Sequence, residues 1–113
     1  MPAVRPRRTP RRRARASQPH LLGDDDLHGN EDNDVIHGDE GDDQINGDDG
    51  EDILFGDQGD DKLLGSQGLD MLLGGIGDDQ LSGGTGDDQL QGELGNDILN
   101  GDEGIDSLFG DDG

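Results

Sequence analysis

Aliphatic side chains recur at every ninth position from residue 20 to the end of the chain. When the sequence is divided into nine-residue frames beginning at His20, position 8 is Leu or Ile in all ten complete frames. An amphipathic helix needs three or four apolar residues in every two turns, so this spacing excludes one. The pattern x-aliphatic-x at positions 7–9, where x is any residue, instead predicts a short strand with one side chain inward and two outward. The inward residues are Leu27, Ile36, Ile45, Leu54, Leu63, Leu72, Leu81, Leu90, Leu99 and Leu108.

Glycine follows the same nine-residue period. All 22 glycines fall at positions 1, 2 or 4 of a frame, so their number does not reflect general flexibility. Glycines three residues apart predict positive φ and two sharp turns between successive strands. Two frames then form one coil of a parallel β-solenoid, and ten frames form about five coils, roughly 24 Å long at ~4.8 Å per strand.

Each frame resembles the glycine-rich nonapeptide G-G-x-G-x-D-x-U-x, in which U is a large aliphatic residue, of the RTX (repeats-in-toxin) family. The clearest match is GGIGDDQLSGGTGDDQLQG at residues 74–92, and the resemblance extends over residues 20–113. It implies an all-β fold, a right-handed parallel β-roll, whose turns bind calcium within a secreted bacterial protein.

The resemblance also implies the calcium ligands. Each ion would lie between turns of frames n and n+2 on the same edge, so that Asp79 would pair with the turns beginning at Gly56 and Gly92. With this pairing the upper limit is about eight ions. Carboxylates would come from position 6, at Asp34, Asp43, Asp52, Asp61, Asp70, Asp79, Asp88, Asp97 and Asp106. Carbonyls would come from Gly38, Gly41, Gly47, Gly50, Gly56, Gly59, Gly65, Gly68, Gly74, Gly77, Gly83, Gly86, Gly92, Gly95, Gly101 and Gly104.

Charge supports the same interpretation without reference to a family. Residues 20–113 contain all 29 acids and one lysine, a net charge of −28. Carboxylates stacked in every second frame repel one another unless a cation lies between them. Several hard oxygen ligands in irregular geometry favour Ca²⁺ over Mg²⁺ or zinc. The sequence therefore predicts a chain that is disordered without calcium and folded with it.

The first 19 residues differ from the repeats, since they contain seven arginines and no acid. We expect a disordered Arg/Pro-rich tail, with binding to nucleic acid or to the acidic repeats as alternatives. Its arginines lack the apolar segment of a secretory signal, so no N-terminal signal peptide is expected. The C-terminal export signal of RTX relatives is not visible either. We nevertheless expect a secreted, extracellular chain, because the resemblance implies one.

Departures from the family pattern test the role of each position. Position 2 is glycine only at Gly75 and Gly84. Asn and Asp tolerate a left-handed backbone there, whereas Ser66 and Glu93 suit it less well. Leu69 replaces the usual polar residue at position 5, at little cost if that position lends only a carbonyl.

Outward side chains are unevenly distributed between the two expected sheets. One sheet would expose an apolar group that we interpret as a packing surface for another chain or domain, or else as scattered surface residues. No binding to nucleic acid and no membrane insertion is expected from this acidic chain. The apolar group consists of Val35, Ile53, Phe55, Met71 and Leu73.

No catalytic site is expected. Ser66, Ser82 and Ser107 have no plausible histidine partner, and acids repeated in every frame do not form a singular acid–base pair. His28 and His37 would lie on opposite sheets, so with His20 they are interpreted as surface histidines. The sequence leaves three functions open: a calcium-binding structural or export module, an adhesion protein, and a fragment of a larger RTX toxin, adhesin or secreted hydrolase.

Overall fold

The structure, a computed structural model, describes residues 23–113. The expected tail at residues 1–19, together with His20, lies outside the described residues. The described part consists of strands without helices, and so contains no helix that could cross a membrane. The strands are β1 (Asp26–His28), β2 (Val35–His37), β3 (Gln44–Asn46), β4 (Ile53–Gln58), β5 (Lys62–Gln67), β6 (Met71–Ile76), β7 (Gln80–Thr85), β8 (Gln89–Leu94), β9 (Ile98–Glu103) and β10 (Ser107–Phe109).

Successive strands alternate between two parallel sheets. One sheet has the order β1-β3-β5-β7-β9 and the other has β10-β8-β6-β4-β2. The register shifts by two frames at every step, so that Leu63 pairs with Leu81 and Leu72 pairs with Leu90. The chain is therefore a parallel β-solenoid of about five turns, as the nine-residue period predicted.

The core is one column of aliphatic side chains between the two sheets. Seven of the ten predicted inward residues are buried, from Ile36 to Leu90, and Leu27 and Leu99 pack against them. Leu108 is 42% exposed. Its strand, β10, pairs only with β8, so no described coil covers its other side. The prediction of ten inward residues therefore fails at the last coil, because burial in a solenoid depends on the next coil.

The strands are longer than the sequence predicted. In β4 to β9 each strand has six residues and continues through positions 1–3 of the next frame. Glycine at position 1, such as Gly65, is accordingly a buried strand residue. Its φ is not positive, whereas positions 2 and 4 of the same frame have φ 80° at Ser66 and 128° at Gly68. The prediction of a positive φ at both of the glycines three residues apart was therefore wrong at position 1.

The apolar outward residues lie on one sheet, as predicted. Val35, Ile53 and Met71 pair in register along one row of the β2-β4-β6 ladder. Phe55 and Leu73 pair in the neighbouring row. These five residues thus form one continuous group, and its coverage by another chain stays a prediction.

Glu93→Gly should stabilise the calcium-loaded fold by about 1 kcal/mol, since Glu93 adopts φ 73° and a left-handed backbone is unfavourable for any residue with a Cβ. Urea unfolding at saturating calcium measures the change.

Glu103→Gly is the matched control, because Glu103 is an exposed strand residue whose φ is not positive. Glycine should destabilise the fold there by roughly 0.5–1 kcal/mol. Equal effects of the two substitutions would contradict the conformational explanation.

Candidate metal centre

Position 6 of each frame places a carboxylate at the edge of the core. Each of these aspartates immediately precedes a strand, and those from Asp34 to Asp88 are at most 3% exposed. Asp97 and Asp106, in the last two complete frames, are half-buried. Buried carboxylates need compensating charge or hydrogen bonds, so their partners decide what this position does.

One oxygen of each carboxylate joins successive coils. The backbone amide of Asp61 donates to Oδ1 of Asp79 at 2.7 Å, and the amide of Asp79 donates to Oδ1 of Asp97 at 2.8 Å. Asp88 is linked in the same way to Asp70 and Asp106 on the opposite edge, at 2.8 and 2.9 Å. The carboxylates therefore form two ladders, one on each edge, and their partners lie in the frames n and n+2 that the sequence predicted.

The other carboxylate oxygen, Oδ2, is buried and accepts no hydrogen bond from the described residues. This holds at Asp43, Asp52, Asp61, Asp70, Asp79, Asp88 and Asp97. An unpaired buried carboxylate oxygen is costly, so it marks a place where a cation would stabilise the fold.

At five position-1 glycines, Oδ2 of the carboxylate and a backbone carbonyl oxygen both border the space that a Cβ would occupy. A Cβ added to Gly65 would lie 2.6 Å from Oδ2 of Asp70 and 2.7 Å from the carbonyl oxygen of Gly83. We call this space, bounded by the position-1 glycine, the position-6 carboxylate and the carbonyl two frames later, the cradle. Equivalent cradles bounded by both oxygens occur at Gly29, Gly38, Gly56 and Gly83, and those at Gly47, Gly74, Gly92 and Gly101 adjoin their carboxylates.

Position 4 brings further carbonyls to the same edges. A Cβ on Gly59, which has φ 128°, would overlap the carbonyl oxygen of Gly41 two frames earlier. The same overlap recurs at Gly50, Gly68, Gly77, Gly86, Gly95 and Gly104 with the position-4 residue two frames earlier. The carbonyl oxygens predicted as calcium ligands are therefore stacked on the same edges as the predicted carboxylates.

Position-5 side chains also form hydrogen bonds between successive coils. The amide of Asp60 donates to Oδ1 of Asp42 at 2.8 Å, and the amide of Asp78 donates to Oδ1 of Asp60 at 2.9 Å. This second ladder is exposed and runs in the opposite direction to the position-6 ladder. Because Leu69 has no side-chain oxygen, it cannot accept such a bond from the amide of Asp87. The substitution thus removes a hydrogen bond that the sequence interpretation did not anticipate.

Folding shifts the ionisation of the position-6 carboxyls. Burial raises the pKa of Asp43 to about 8, that of Asp52, Asp61 and Asp70 to about 7, and that of Asp79 to about 6. The amide hydrogen bond from the preceding coil opposes the increase, and the carboxylate of the next coil adds to it. The predicted repulsion along each ladder is present, but desolvation is the larger cause.

A cation in a cradle would have hard oxygen ligands, namely a carboxylate and backbone carbonyls. Such a donor set fits Ca²⁺, which takes several carboxylate and carbonyl oxygens in irregular geometry. It does not fit metals that prefer nitrogen or sulfur ligands. The cradle geometry and the chemistry of its atoms therefore agree with the predicted ion.

Comparison with protein families gives the same answer. The family profile described as RTX calcium-binding nonapeptide repeat (4 copies) matches residues 22–54, 46–81, 55–90, 73–108 and 91–113. The chain belongs to the RTX calcium-binding repeat family. RTX repeats bind calcium, and in this member the aspartates of successive repeats are stacked in the turns. No curated protein matches the chain.

Gly65→Ala should raise the calcium concentration at the folding midpoint, because its Cβ would fill the cradle between Asp70 and Gly83. An overpacked site of this kind costs about 1–3 kcal/mol. Calcium titration followed by far-UV circular dichroism measures the midpoint.

Gly110→Ala is the control at the same frame position, since a Cβ there would meet nothing within 4 Å. It should leave the midpoint unchanged. Equal shifts in the two variants would show that loss of glycine, and not filling of the cradle, weakens folding.

Acid should stabilise the fold in calcium-free buffer. Folding raises the pKa of these carboxyls from 3.8 to between about 6 and 8. Their contribution to the stability of the fold is therefore fully present below pH 3.8 and is lost as the pH rises through that higher range. The β-content of metal-free protein should therefore increase as the pH falls from about 8 towards about 4. A β-content that increases with pH would contradict the assignment.

Proposed function

We propose that this RTX chain is a calcium-dependent folding module that is secreted and folds outside the cell. The observation that carries the proposal is the pair of buried carboxylate ladders. Among the described residues Lys62 is the one lysine or arginine, and its exposed side chain lies on the outer face of β5. No described lysine or arginine is therefore placed to neutralise the ladders, although burial makes ionisation of their carboxyls unfavourable.

The chain's own groups explain how calcium would act. The position-6 Oδ1 atoms hold neighbouring coils in register, and in five frames Oδ2 and a backbone carbonyl oxygen border one cradle. Bound calcium supplies the positive charge that lets these carboxylates ionise in a desolvated place. Because the cradle forms only when two coils stack, binding and folding are one equilibrium.

The extracellular part of the proposal depends on calcium concentration. Extracellular calcium-binding modules have dissociation constants of about 10⁻⁴–10⁻³ M, whereas intracellular sensors bind at about 10⁻⁷–10⁻⁵ M. A module of the first kind stays unfolded during synthesis and folds after export. An alternative proposal is that the solenoid serves a larger RTX toxin, adhesin or secreted hydrolase.

The repeats are nearly identical to one another, and this favours a binding role over catalysis. Acid–base catalysis needs two groups whose environments separate their pKa values. Here the buried carboxyls have equivalent surroundings and are all shifted in the same direction. The Ser66 hydroxyl donates to Oδ1 of Asn46 and the Ser82 hydroxyl donates to Oδ2 of Asp102, so neither is paired with a histidine.

Calcium titration of the whole chain, followed by far-UV circular dichroism with a chelator control, tests the proposal. We expect a disordered spectrum in chelator and a β-rich spectrum with a midpoint at about 10⁻⁴–10⁻³ M calcium. A chain that is already β-rich in chelator, or still disordered at about 10 mM calcium, would falsify calcium-dependent folding. A midpoint at about 10⁻⁷–10⁻⁵ M would instead contradict the extracellular part alone.

Asp61→Asn tests whether calcium binding depends on the buried ladder or only on the total negative charge. The asparagine side chain keeps Oδ1 as an acceptor for the backbone amide of Asp43 but replaces the negatively charged Oδ2. We expect fewer bound calcium ions by metal analysis and a higher calcium midpoint.

Asp60→Asn is the matched control, because it removes the same charge from the neighbouring exposed residue. Asn33 already accepts the equivalent hydrogen bond, from the amide of Glu51 at 2.8 Å. This variant should bind as much calcium as the unaltered protein. Equal losses in both variants would mean that calcium responds to overall charge and not to the cradles.

A further inference from the structure

A group of polar side chains lies on the outer face of the sheet, away from the cradles. His37 ends β2, Asp39 follows two residues later, and Asp57 lies in the paired strand β4. A ring nitrogen of His37 and one carboxylate oxygen each of Asp39 and Asp57 lie within 4.8 Å of one another. We propose that these three residues bind a transition-metal dication, with Zn²⁺ as the probe, at a second kind of metal site that is separate from the calcium sites.

The spacing of the donor atoms suits such an ion. Nδ1 of His37 lies 3.1 Å from Oδ2 of Asp57. Two ligands at about 2.0–2.1 Å from a tetrahedral zinc ion are roughly 3.3 Å apart, so these two atoms are already close to the required distance. A carboxylate oxygen of Asp39 lies within 4.8 Å of both atoms and supplies the third ligand. Three protein ligands leave the fourth position to water.

Neighbouring groups hold the ligands in place. The imidazole of His37 stacks on the ring of Phe55, with the ring centroids 4.3 Å apart and the planes 8° from parallel. The backbone amide of Asp39 donates to Oδ2 of Asp57 at 3.1 Å, which orients that carboxylate. The side chains of His37 and Asp57 are 36% and 34% exposed, so an ion has access to the group from solvent.

The ligand chemistry separates this group from the cradles. Gly38 and Gly56 lie between its members in sequence and are buried, so the inner side of the same backbone faces a cradle while the outer side carries the group. Calcium prefers six to eight oxygen ligands. One imidazole nitrogen with two carboxylates instead suits zinc and its neighbours in the first transition row.

The other sheet contains a natural comparison. His28 ends β1, and its Nδ1 lies 3.4 Å from Oδ2 of Asp48, while the amide of Asn30 donates to that oxygen at 3.1 Å. Asn30, however, provides a neutral amide where the first group has the carboxylate of Asp39. The remaining carboxylate, that of Asp26, lies 3.3 Å from Nε2, on the other nitrogen of the ring. The two carboxylates near His28 are therefore not placed to bind one ion together with a single ring nitrogen.

Zinc titration of the full chain by calorimetry, at saturating calcium, tests the proposal. The proposed zinc site rests on the proposed function, because calcium is needed there to form β2 and β4. We expect one zinc ion for each chain with calcium still bound, and shifts of the His37 ring protons in nuclear magnetic resonance spectra. His37→Gln and Asp57→Asn should each weaken zinc binding at least tenfold, whereas His28→Gln should leave it unchanged.

Asn30→Asp is the gain-of-function variant, because it gives the His28 group the carboxylate that the His37 group has. It should bind a second zinc ion and shift the His28 ring protons. Circular dichroism of every variant at saturating calcium shows whether it is folded, so that loss of zinc binding is separated from loss of the fold.

The outcomes distinguish the two proposals. A folded, calcium-loaded chain that does not bind zinc, or zinc that binds only by displacing calcium, overturns the second site and leaves calcium-dependent folding intact. Zinc binding that survives His37→Gln places the ion elsewhere and also overturns it. A chain that is folded without calcium overturns the proposed function but permits the same zinc titration, and a chain that stays unfolded in calcium overturns both.

Discussion

The hydrogen bond from a backbone amide to the position-6 carboxylate of the next coil is the interaction on which the rest of this solenoid depends. It repeats along both edges, where each carboxylate uses one oxygen for the neighbouring coil, and in five frames the other oxygen lies beside the same space as a backbone carbonyl. The same group therefore sets the register and creates the place for a cation. Because these carboxyls are desolvated and stacked, their ionisation opposes folding unless positive charge is supplied. Stability and calcium binding are thus consequences of one arrangement.

The glycines make that arrangement possible in two different ways. At position 1, Gly65 and its equivalents are extended strand residues that leave room for the carboxylate and the carbonyl beside them. At position 4, Gly59 and its equivalents combine a left-handed backbone with an approach to the preceding turn too close for a Cβ. Position 2 has the left-handed backbone without an absolute need for glycine, and Asp, Asn, Ser and Glu all occur there. This difference explains why positions 1 and 4 vary so much less than position 2 within this chain.

Extension of the strands through position 3 also brings specific outward side chains of neighbouring coils together. Because positions 9 and 2 then face outward on one strand, a residue at position 9 approaches the position-2 residue that lies 20 residues, or three frames, later. His37 approaches Asp57, His28 approaches Asp48, and Ser82 approaches Asp102 in this way. A separation of 20 residues between histidine and aspartate was the available signal for the His37 group. The sequence interpretation missed it because it ended each strand at position 9, which placed His37 next to a turn.

The sequence by itself determined the period, the parallel coils, the inward aliphatic column and the pairing of frames n and n+2. Those properties follow from local rules, since a nine-residue repeat with one aliphatic residue and spaced glycines has few ways to bury its apolar side chains. Only the tertiary structure decided that position-1 glycine lies in a strand, that position-5 side chains form a second ladder, and that Leu108 is uncovered. It also brought His37, Asp39 and Asp57 together. Each of these depends on which atoms of one coil meet the next, and that contact is a property of stacking that no single repeat contains.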